Sequence, residues 1–470
     1  MFRSLHSKES KNLKQNRMST RREFTKTVSI GSAGALVLGA AACSTSEKND
    51  EKVVWPSDKI NLAFVGIAGR GGSNLKALKD QNIVALCDVD WRENQEKTFD
   101  AYPKAKRYRD FRVMLEKQKD IDAVVISTPD HCHGVIATMA IKMGKHVYCE
   151  KPLAHSVFEV REITRLAKEY GVQTQMGNQG HSWESIRQFY EHIKAGSIGK
   201  VTEVHAWCDR PAGGGSVSFP HGIERPTGDF RIPRQLKWDL WLGPALDRQY
   251  HPAYLPMKWR GFIDFGCGAL GDFGCHTLDP AFWALDLGSP ESVIASTSNL
   301  LPEVKYDSYP TASIITYKFP ERENQPPVKL TWYDGGLLPL HDDRLRDLKY
   351  EDSCGALLIG EKGIIVHGSH GAGDFKVYPF DKSQVVETPP QLIERSKGHH
   401  ADWLEAIKTG KPASANFNYG GPLTETVLLG TAASLFRNQE LIWDGENMKV
   451  TNVEAANSLI KPEFRVGWSV

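Results

Sequence analysis

Asp272 and His276 stand four residues apart in GALGDFGCHTLD, and Glu150, Lys151 and Pro152 follow one another in CEKPLAHS. On a helix the four-residue spacing puts Asp272 and His276 on one face. A carboxylate beside an imidazole can grip vicinal hydroxyl groups, and the imidazole can take up a proton near neutral pH. A structural histidine with a satisfied hydrogen bond is the plainer reading of that spacing. The glycines at 266, 268, 271 and 274 weigh against it, because they let a ligand come close to the backbone. Glu150 and Lys151 could be a surface pair, but Pro152 restricts the backbone of Lys151.

A third stretch, INLAFVGIAGRGGSNLKAL from Ile60 to Leu78, places four glycines and Arg70 where an apolar run meets a helical pattern. Gly66, Ala68 and Gly71 read as the fingerprint G-x-A-x-x-G, with alanine in place of the middle glycine and Gly69 and Gly72 adding freedom around it. Such a turn lets a backbone approach a pyrophosphate, whose charge suits a helix N-terminus. An ordinary strand–helix turn is the alternative. Asp88 ends the next apolar run about twenty residues on, where a carboxylate can accept bonds from ribose hydroxyls. A carboxylate there repels a 2′-phosphate, so NAD is expected rather than NADP. Asp90 is the substitute for the ribose role.

The elements that must carry these residues alternate. From Lys59, the runs INLAFVGI, NIVALCDVD, DIDAVVISTP, HVYCEKP and VQTQMGNQ have strand length, and helical patterns separate them. Alternation with short connections implies parallel strands and right-handed crossovers. Beyond about Gly180 come ESVIASTSNL, ASIITYKF, VKLTWYDG, ALLIGEKGIIVHG and FKVYPF, which suit an open, mostly antiparallel sheet, and two late helices, HADWLEAIKTG and LTETVLLGTAASLF. The expected organisation is an α/β dinucleotide-binding domain with a doubly wound parallel sheet over 59–180 and an α+β domain over 181–470. The latter would serve substrate binding and assembly into a homo-oligomer.

Ahead of both domains, Arg21, Arg22 and Phe24 precede a short apolar stretch ending in AAAC at Cys43. This reads as a twin-arginine export signal with a lipoprotein-like cleavage site over 1–43, followed by a polar linker over 44–58. It implies a periplasmic or membrane-anchored protein with a possible lipid anchor at Cys43. Outside the cytoplasm there is no free nicotinamide pool, so the cofactor would have to be held tightly and recycled in place. Lys+Arg (58) and Asp+Glu (57) nearly cancel, which leaves no basic footprint for nucleic acid. The eight cysteines contain no C-x-x-C pair, so neither a disulfide framework nor a metal site is expected, although Cys267 and Cys275 could approach each other.

Together GIAGRG, CDVD, TPDHCH, CEKPLA and GDFGCHTLD resemble the Gfo/Idh/MocA oxidoreductases, a family that contains glucose–fructose oxidoreductase and inositol dehydrogenase. The resemblance runs from about Lys59 to Val470, and QMGNQGHS and WDLWLGPA are similar to stretches of exported, Bacteroidetes-like, carbohydrate-associated members. It implies a Rossmann domain followed by an open-sheet domain. It implies that Lys151 bonds both substrate and cofactor ribose, that Asp272 binds substrate, and that His276 is the general base. Thr128, Pro129, His131, His133 and Glu150 would face the nicotinamide, with Asn178 and Gln179 in a loop beside it. Oxidising a secondary alcohol needs such a base, and a cation to steady the developing alkoxide.

On the substrate side, Trp259 and Arg260 are expected to line the site, whereas the tryptophans of WDLWLG are expected in the core. Tyr333 and Asp334 are further candidates, and His399 and His400 are either a helix-cap region or a site wall. Three functions compete. The first is NAD-linked oxidation of a sugar or glycoside hydroxyl at C3. The second is a redox-neutral glycosidase, working by oxidation, elimination, water addition and reduction, which needs a further acid or base such as His181 or Tyr254. The third is a non-catalytic sugar-binding lipoprotein.

Overall fold

Six short parallel strands deliver the candidate residues, and their sequences explain why. The computed structural model describes residues 59–211, 219–298, 301, 304–340 and 353–470, so the export stretch, Cys43 and the whole linker lie outside the described residues. The strands are β1 (Asn61–Val65), β2 (Asn82–Cys87), β3 (Lys106–Tyr108), β4 (Ala123–Ile126), β5 (His146–Glu150) and β6 (Thr174–Gly177). β4 is AVVI with every residue buried, the signature of a strand covered on both faces. The strands pair in the order β3-β2-β1-β4-β5-β6, all parallel, which is the order of the Rossmann fold. Between β1 and β4 the order reverses, and ligands bind at the carboxyl ends of the strands at such a point. β3 was not foreseen. Its residues, KRY, are exposed or half-buried and carry no apolar run, because the strand sits at the sheet edge.

The second sheet holds β7 (Val201–Cys208), β8 (Ser292–Thr297), β9 (Ser313–Phe319), β10 (Val328–Tyr333), β11 (Cys354–Gly360), β12 (Gly363–Gly368), β13 (Lys376–Pro379), β14 (Leu441–Asp444) and β15 (Lys449–Val450). Only β7 and β10 pair in parallel; the other neighbours are antiparallel. The α/β domain with its doubly wound parallel sheet is therefore followed by an α+β domain with an open, mostly antiparallel sheet.

The chain then returns to the first sheet. Helix His399–Thr409 places Trp403, fully buried, among Ile60, Phe64 and Tyr148. Helix Phe417–Ser434 starts six residues before LTETV and carries Pro422 inside it. Asn416 caps it by accepting from the amide of Asn418. A Cβ on Gly421 would lie 2.8 Å from Thr164 Oγ1, so a bare backbone is needed where this helix meets helix Val157–Glu169. Arg161 joins the two helices through a bidentate pair with Glu425, each bond 2.7 Å.

Trp403 is the largest side chain that this returning segment inserts under the first sheet. Trp403→Ala is expected to lower the unfolding free energy by about 3–5 kcal/mol, measured as a fall in the urea midpoint at unchanged slope.

Candidate active site

Loops at the carboxyl ends of β1, β2, β4 and β5, with segments of the second domain, enclose a cavity of about 570 Å³. Its first wall is the glycine turn. Gly66 follows β1 at φ 80°, and a Cβ there would lie 2.6 Å from the Ser127 carbonyl oxygen. Gly71 opens helix Arg70–Ala77 so tightly that a Cβ would sit 1.9 Å from the Gly66 oxygen, so it packs the helix and does not line the cavity. Gly69, at φ 53°, has open space where a Cβ would be, and it offers no side-chain cap to the helix. The amides of Gly66, Ile67 and Gly71 are spent on Cys87, Asp88 and Ala68, so those of Ala68 and Gly69 are the ones in that turn left for a ligand's oxygens. Ala68 lines the cavity without a positive φ, so alanine is tolerated there.

Asp88 closes this corner. Its Oδ2 accepts from the Ile67 amide (3.0 Å) and its Oδ1 from the Asp90 amide (2.9 Å). Burial pushes its carboxyl up to about 6. Asp90 also lines the cavity, but both its oxygens are gripped by Arg92. Of the two, Asp88 keeps acceptor capacity for hydroxyl donors.

The second wall is charged. Lys151 Nζ donates to the Asp272 carbonyl and, at 3.0 Å, to its Oδ1, while Arg260 Nε donates to the same Oδ1 at 3.1 Å. Burial raises the Asp272 carboxyl, but the two cations outweigh it and hold it well below the usual carboxylate range. The Arg260 guanidinium lies 4.3 Å over the Trp259 ring, and both line the cavity.

His276 occupies the same helix, Gly268–Thr277, one turn after Asp272. Asn178 Nδ2 donates to the Cys275 carbonyl at 2.9 Å, so Asn178 Oδ1 faces His276 Nδ1 at 2.6 Å. That oxygen can only accept, so the proton sits on Nδ1 and Nε2 is the bare, basic nitrogen. Burial, then the charge of Lys151, then His370, hold the imidazole well below its ordinary value of 6.5.

The His276 ring stacks on His370, with centroids 4.0 Å apart. His370 lies between β12 and β13 and lines the cavity. Its Nδ1 is 2.6 Å from Ser369 Oγ, and burial followed by Lys151 pulls its titration down to about 4. Sequence reading missed it; the signal was there in SHGAG, a histidine among glycines at a strand end. Asp130 also lines the cavity unforeseen, and so does Arg210, a substrate-side candidate from the sequence.

Of the residues expected at the site, Gly66, Ala68, Gly69, Arg70, Asp88, Thr128, Pro129, His133, Glu150, Lys151, Trp259, Arg260, Asp272 and His276 reach the cavity. His133 does so with both ring nitrogens bonded to backbone, at the carbonyls of Pro152 (2.8 Å) and Thr128 (2.9 Å). Glu150 accepts from Asn74 (2.8 Å) and Gln179 (3.2 Å), and burial raises its carboxyl. Asn178 and Gln179 lie one layer behind the wall, orienting His276 and Glu150.

Three expectations are corrected. His131 is clamped between the carbonyls of Trp241 (2.9 Å) and Phe265 (3.2 Å), so its polar atoms face the interior. His181 bonds the buried Asp279 carboxylate at 2.9 Å, and its ring packs against Trp283 and Tyr419, away from the cavity. Tyr254 is buried among Trp238, Phe262 and Phe265, with its hydroxyl accepting from Arg248; Leu255, Pro256 and Met257 line the cavity beside it. In each case polar partners and aromatic neighbours from distant segments together hold the side chain inward. Trp238 and Trp241 stack in the core, as expected of WDLWLG. Tyr333 bonds His205 and Asp334 bonds Trp332, both off the cavity. His399 and His400 buttress β6 and Asn74 from behind.

The match to known families agrees with this architecture. Residues 60–178 match the oxidoreductase family model with an NAD-binding Rossmann fold, and residues 224–321 match that family's C-terminal alpha/beta domain. The chain belongs to the Gfo/Idh/MocA oxidoreductase family. Among curated relatives it is 29% identical over 202 residues to a glycosyl hydrolase family 109 protein of Solibacter usitatus, covering 39% of this chain and 44% of the relative. It is 28% identical over 152 residues to the inositol 2-dehydrogenase of Salmonella typhimurium, covering 31% of this chain and 45% of that one. The match thus spans less than half the length of these relatives. Among solved structures of similar fold, the WlbA dehydrogenase of Bordetella pertussis, in complex with NADH and UDP-GlcNAcA, superposes with a TM-score of 0.56 at 16% identity, over 82% of this chain and 99% of that one. The aldose-aldose oxidoreductase of Caulobacter crescentus gives 0.53 at 16% identity, over 82% and 100%.

Because Lys151 is the largest electrostatic influence on His276 after burial, Lys151→Met is expected to raise the His276 titration midpoint toward 6.5. Removing a neighbouring cation favours the protonated ring. Histidine ring nitrogen shifts followed by NMR across pH measure this.

Proposed function

We propose that this protein oxidises and reduces a secondary hydroxyl of a sugar or glycoside, C3 being the position we favour, with NAD held in the cavity. The observation that carries the reading is His276: its Nδ1 is pinned by Asn178, which leaves Nε2 bare, and the residue lines the same cavity as the Lys151–Asp272–Arg260 cluster. NAD fits the other end, since the Gly66 and Gly69 backbone leaves no Cβ in the way and Asp88 stands ready for ribose hydroxyls. When bound, NAD supplies the acceptor and donor of the hydride. Asp272, held ionised, accepts bonds from substrate hydroxyls, as Arg260 donates to them. His276 Nε2 takes the proton of the reacting hydroxyl, and Lys151 steadies the negative charge left on oxygen. A positioned base contributes on the order of 10²–10⁴ in rate, and loss of a charge-stabilising donor costs about 10²–10³.

A second reading has its own support. The stacked His370 offers the further acid or base that a redox-neutral glycosidase requires, a part that His181 and Tyr254 are too deeply buried to play. In this scheme the ketone at C3 acidifies the C2 proton, elimination expels the aglycone, water adds, and reduction restores the alcohol. Relatives bearing the names glycosyl hydrolase family 109 protein and 2,7-anhydro-N-acetylneuraminate hydratase favour it. We also propose export through the twin-arginine sequence, with Cys43 as the anchoring residue; the supporting observation is Arg21-Arg22 ahead of AAAC.

Denatured protein is expected to release NAD. A glycoside panel separates the two readings: keto-glycoside supports the first, and free reducing sugar without added NAD supports the second. Lys151→Ala is expected to lower turnover about 10²-fold or more with an unchanged circular dichroism spectrum; full turnover would remove Lys151 from the mechanism. Replacing Arg21 and Arg22 together by lysine is expected to leave the protein in the cytoplasmic fraction, and undiminished export would overturn that assignment.

A further inference from the structure

Cys208 ends β7 and Cys354 begins β11, and the two are directly opposite in the antiparallel register. Their sulfurs lie 2.8 Å apart, and both side chains are buried. The flanking amide of Asp209 donates to the Ser353 carbonyl at 2.9 Å, which makes Cys208–Cys354 a non-hydrogen-bonded pair. Such pairs hold their Cα atoms about 4.5 Å apart, within the range a disulfide spans. Asp209 Oδ1 lies 3.6 Å from Cys354 Sγ and 3.9 Å from Cys208 Sγ, so a metal site of two sulfurs and a carboxylate is the competing reading. Two thiolates on one tetrahedral zinc, each at about 2.3 Å, stand roughly 3.8 Å apart. The observed separation is too short for that and too short for two thiols in simple contact.

We infer that Cys208 and Cys354 form a cross-strand disulfide when the protein meets an oxidising environment. The oxidant is a small-molecule disulfide such as oxidised glutathione. The Cys354 thiolate attacks one of its sulfurs and expels one thiol; the Cys208 thiolate then attacks the mixed disulfide at Cys354 and expels the second. Two protein thiols lose two protons and two electrons, and one small disulfide becomes two thiols. Cys354 is the entry point: it is 6% exposed against 1% for Cys208, and the bond it accepts from Cys208 lowers its titration.

The bond would tie together two strand ends beside the cavity. Asp209 pairs with Arg210 at 2.7 Å, and Arg210 lines the cavity with its guanidinium 5.3 Å from the Phe273 ring centre. Reduction would remove one tie beside the backbone from which Arg210 reaches the site, leaving the Asp209–Ser353 and Gly335–Arg210 bonds to hold it.

The full-length protein is equilibrated with millimolar oxidised glutathione, denatured in iodoacetamide, digested and mapped by mass spectrometry. The expected result is one peptide pair joined through Cys208 and Cys354, lighter by two hydrogens, with the other cysteines alkylated. The oxidised protein is expected to melt about 5 °C above the dithiothreitol-treated one, a difference that Cys354→Ser removes. Recovery of both peptides alkylated would overturn the inference. So would stoichiometric zinc in the purified protein that is lost in Cys354→Ser. The mapping uses the unaltered chain, so it decides the matter even where the variant fails to fold.

Discussion

Two cations and one carboxylate meet in a mostly buried cluster, and the rest of the site is arranged around their excess positive charge. Lys151 and Arg260 share one oxygen of Asp272, so the cluster carries a net positive charge where water is scarce. Opening a buried pair of this kind costs about 3–5 kcal/mol, and such a cluster persists only where its surroundings hold it. The same charge keeps a proton off His276 and favours negative charge on a nearby oxygen. An unprotonated, available imidazole and a place that attracts negative charge therefore come from one arrangement.

That arrangement depends on three pieces of chain far apart in sequence. Lys151 leaves the carboxyl end of β5, Asp272 and His276 share one short helix, and Asn178, after β6, sets the His276 tautomer. The helices that return from the C-terminal segment brace this end of the first sheet: His400 bonds Asn74, and Asn74 in turn bonds Glu150. A chain of hydrogen bonds thus runs from the late helix to the residue beside Lys151. The tight glycine contacts at the other end of the cavity leave a bare backbone where phosphates would lie.

His370 shows how the second domain reaches the cavity. It comes from the outer part of the nine-stranded sheet, and the backbones of Gly371 and Gly180 touch where a side chain on either would collide. That close approach brings a second imidazole onto the first. The proposed glycosidase reading requires a second proton-transfer group, and this contact is what brings a candidate beside His276.

Local pattern was enough for much of this. Apolar runs alternating with helical spacing disclosed the parallel sheet, because strands buried on both faces, such as AVVI in β4, are mostly apolar. The glycine turn, Asp88, Lys151 and the Asp272–His276 spacing were legible because each obeys a short-range rule of backbone geometry or helical phase. What tertiary structure alone decided was the direction of side chains whose local sequence is neutral. His131 and His133 stand two residues apart in one motif; the first turns into the core and the second to the cavity, because Trp241 and Phe265 pack only on the first. His181 and Tyr254 carry the right chemistry and were drawn inward by aromatic neighbours from distant segments, while His370 was brought outward by a glycine contact. Sequence determines which groups exist and which secondary structure bears them; long-range packing decides which of them meet.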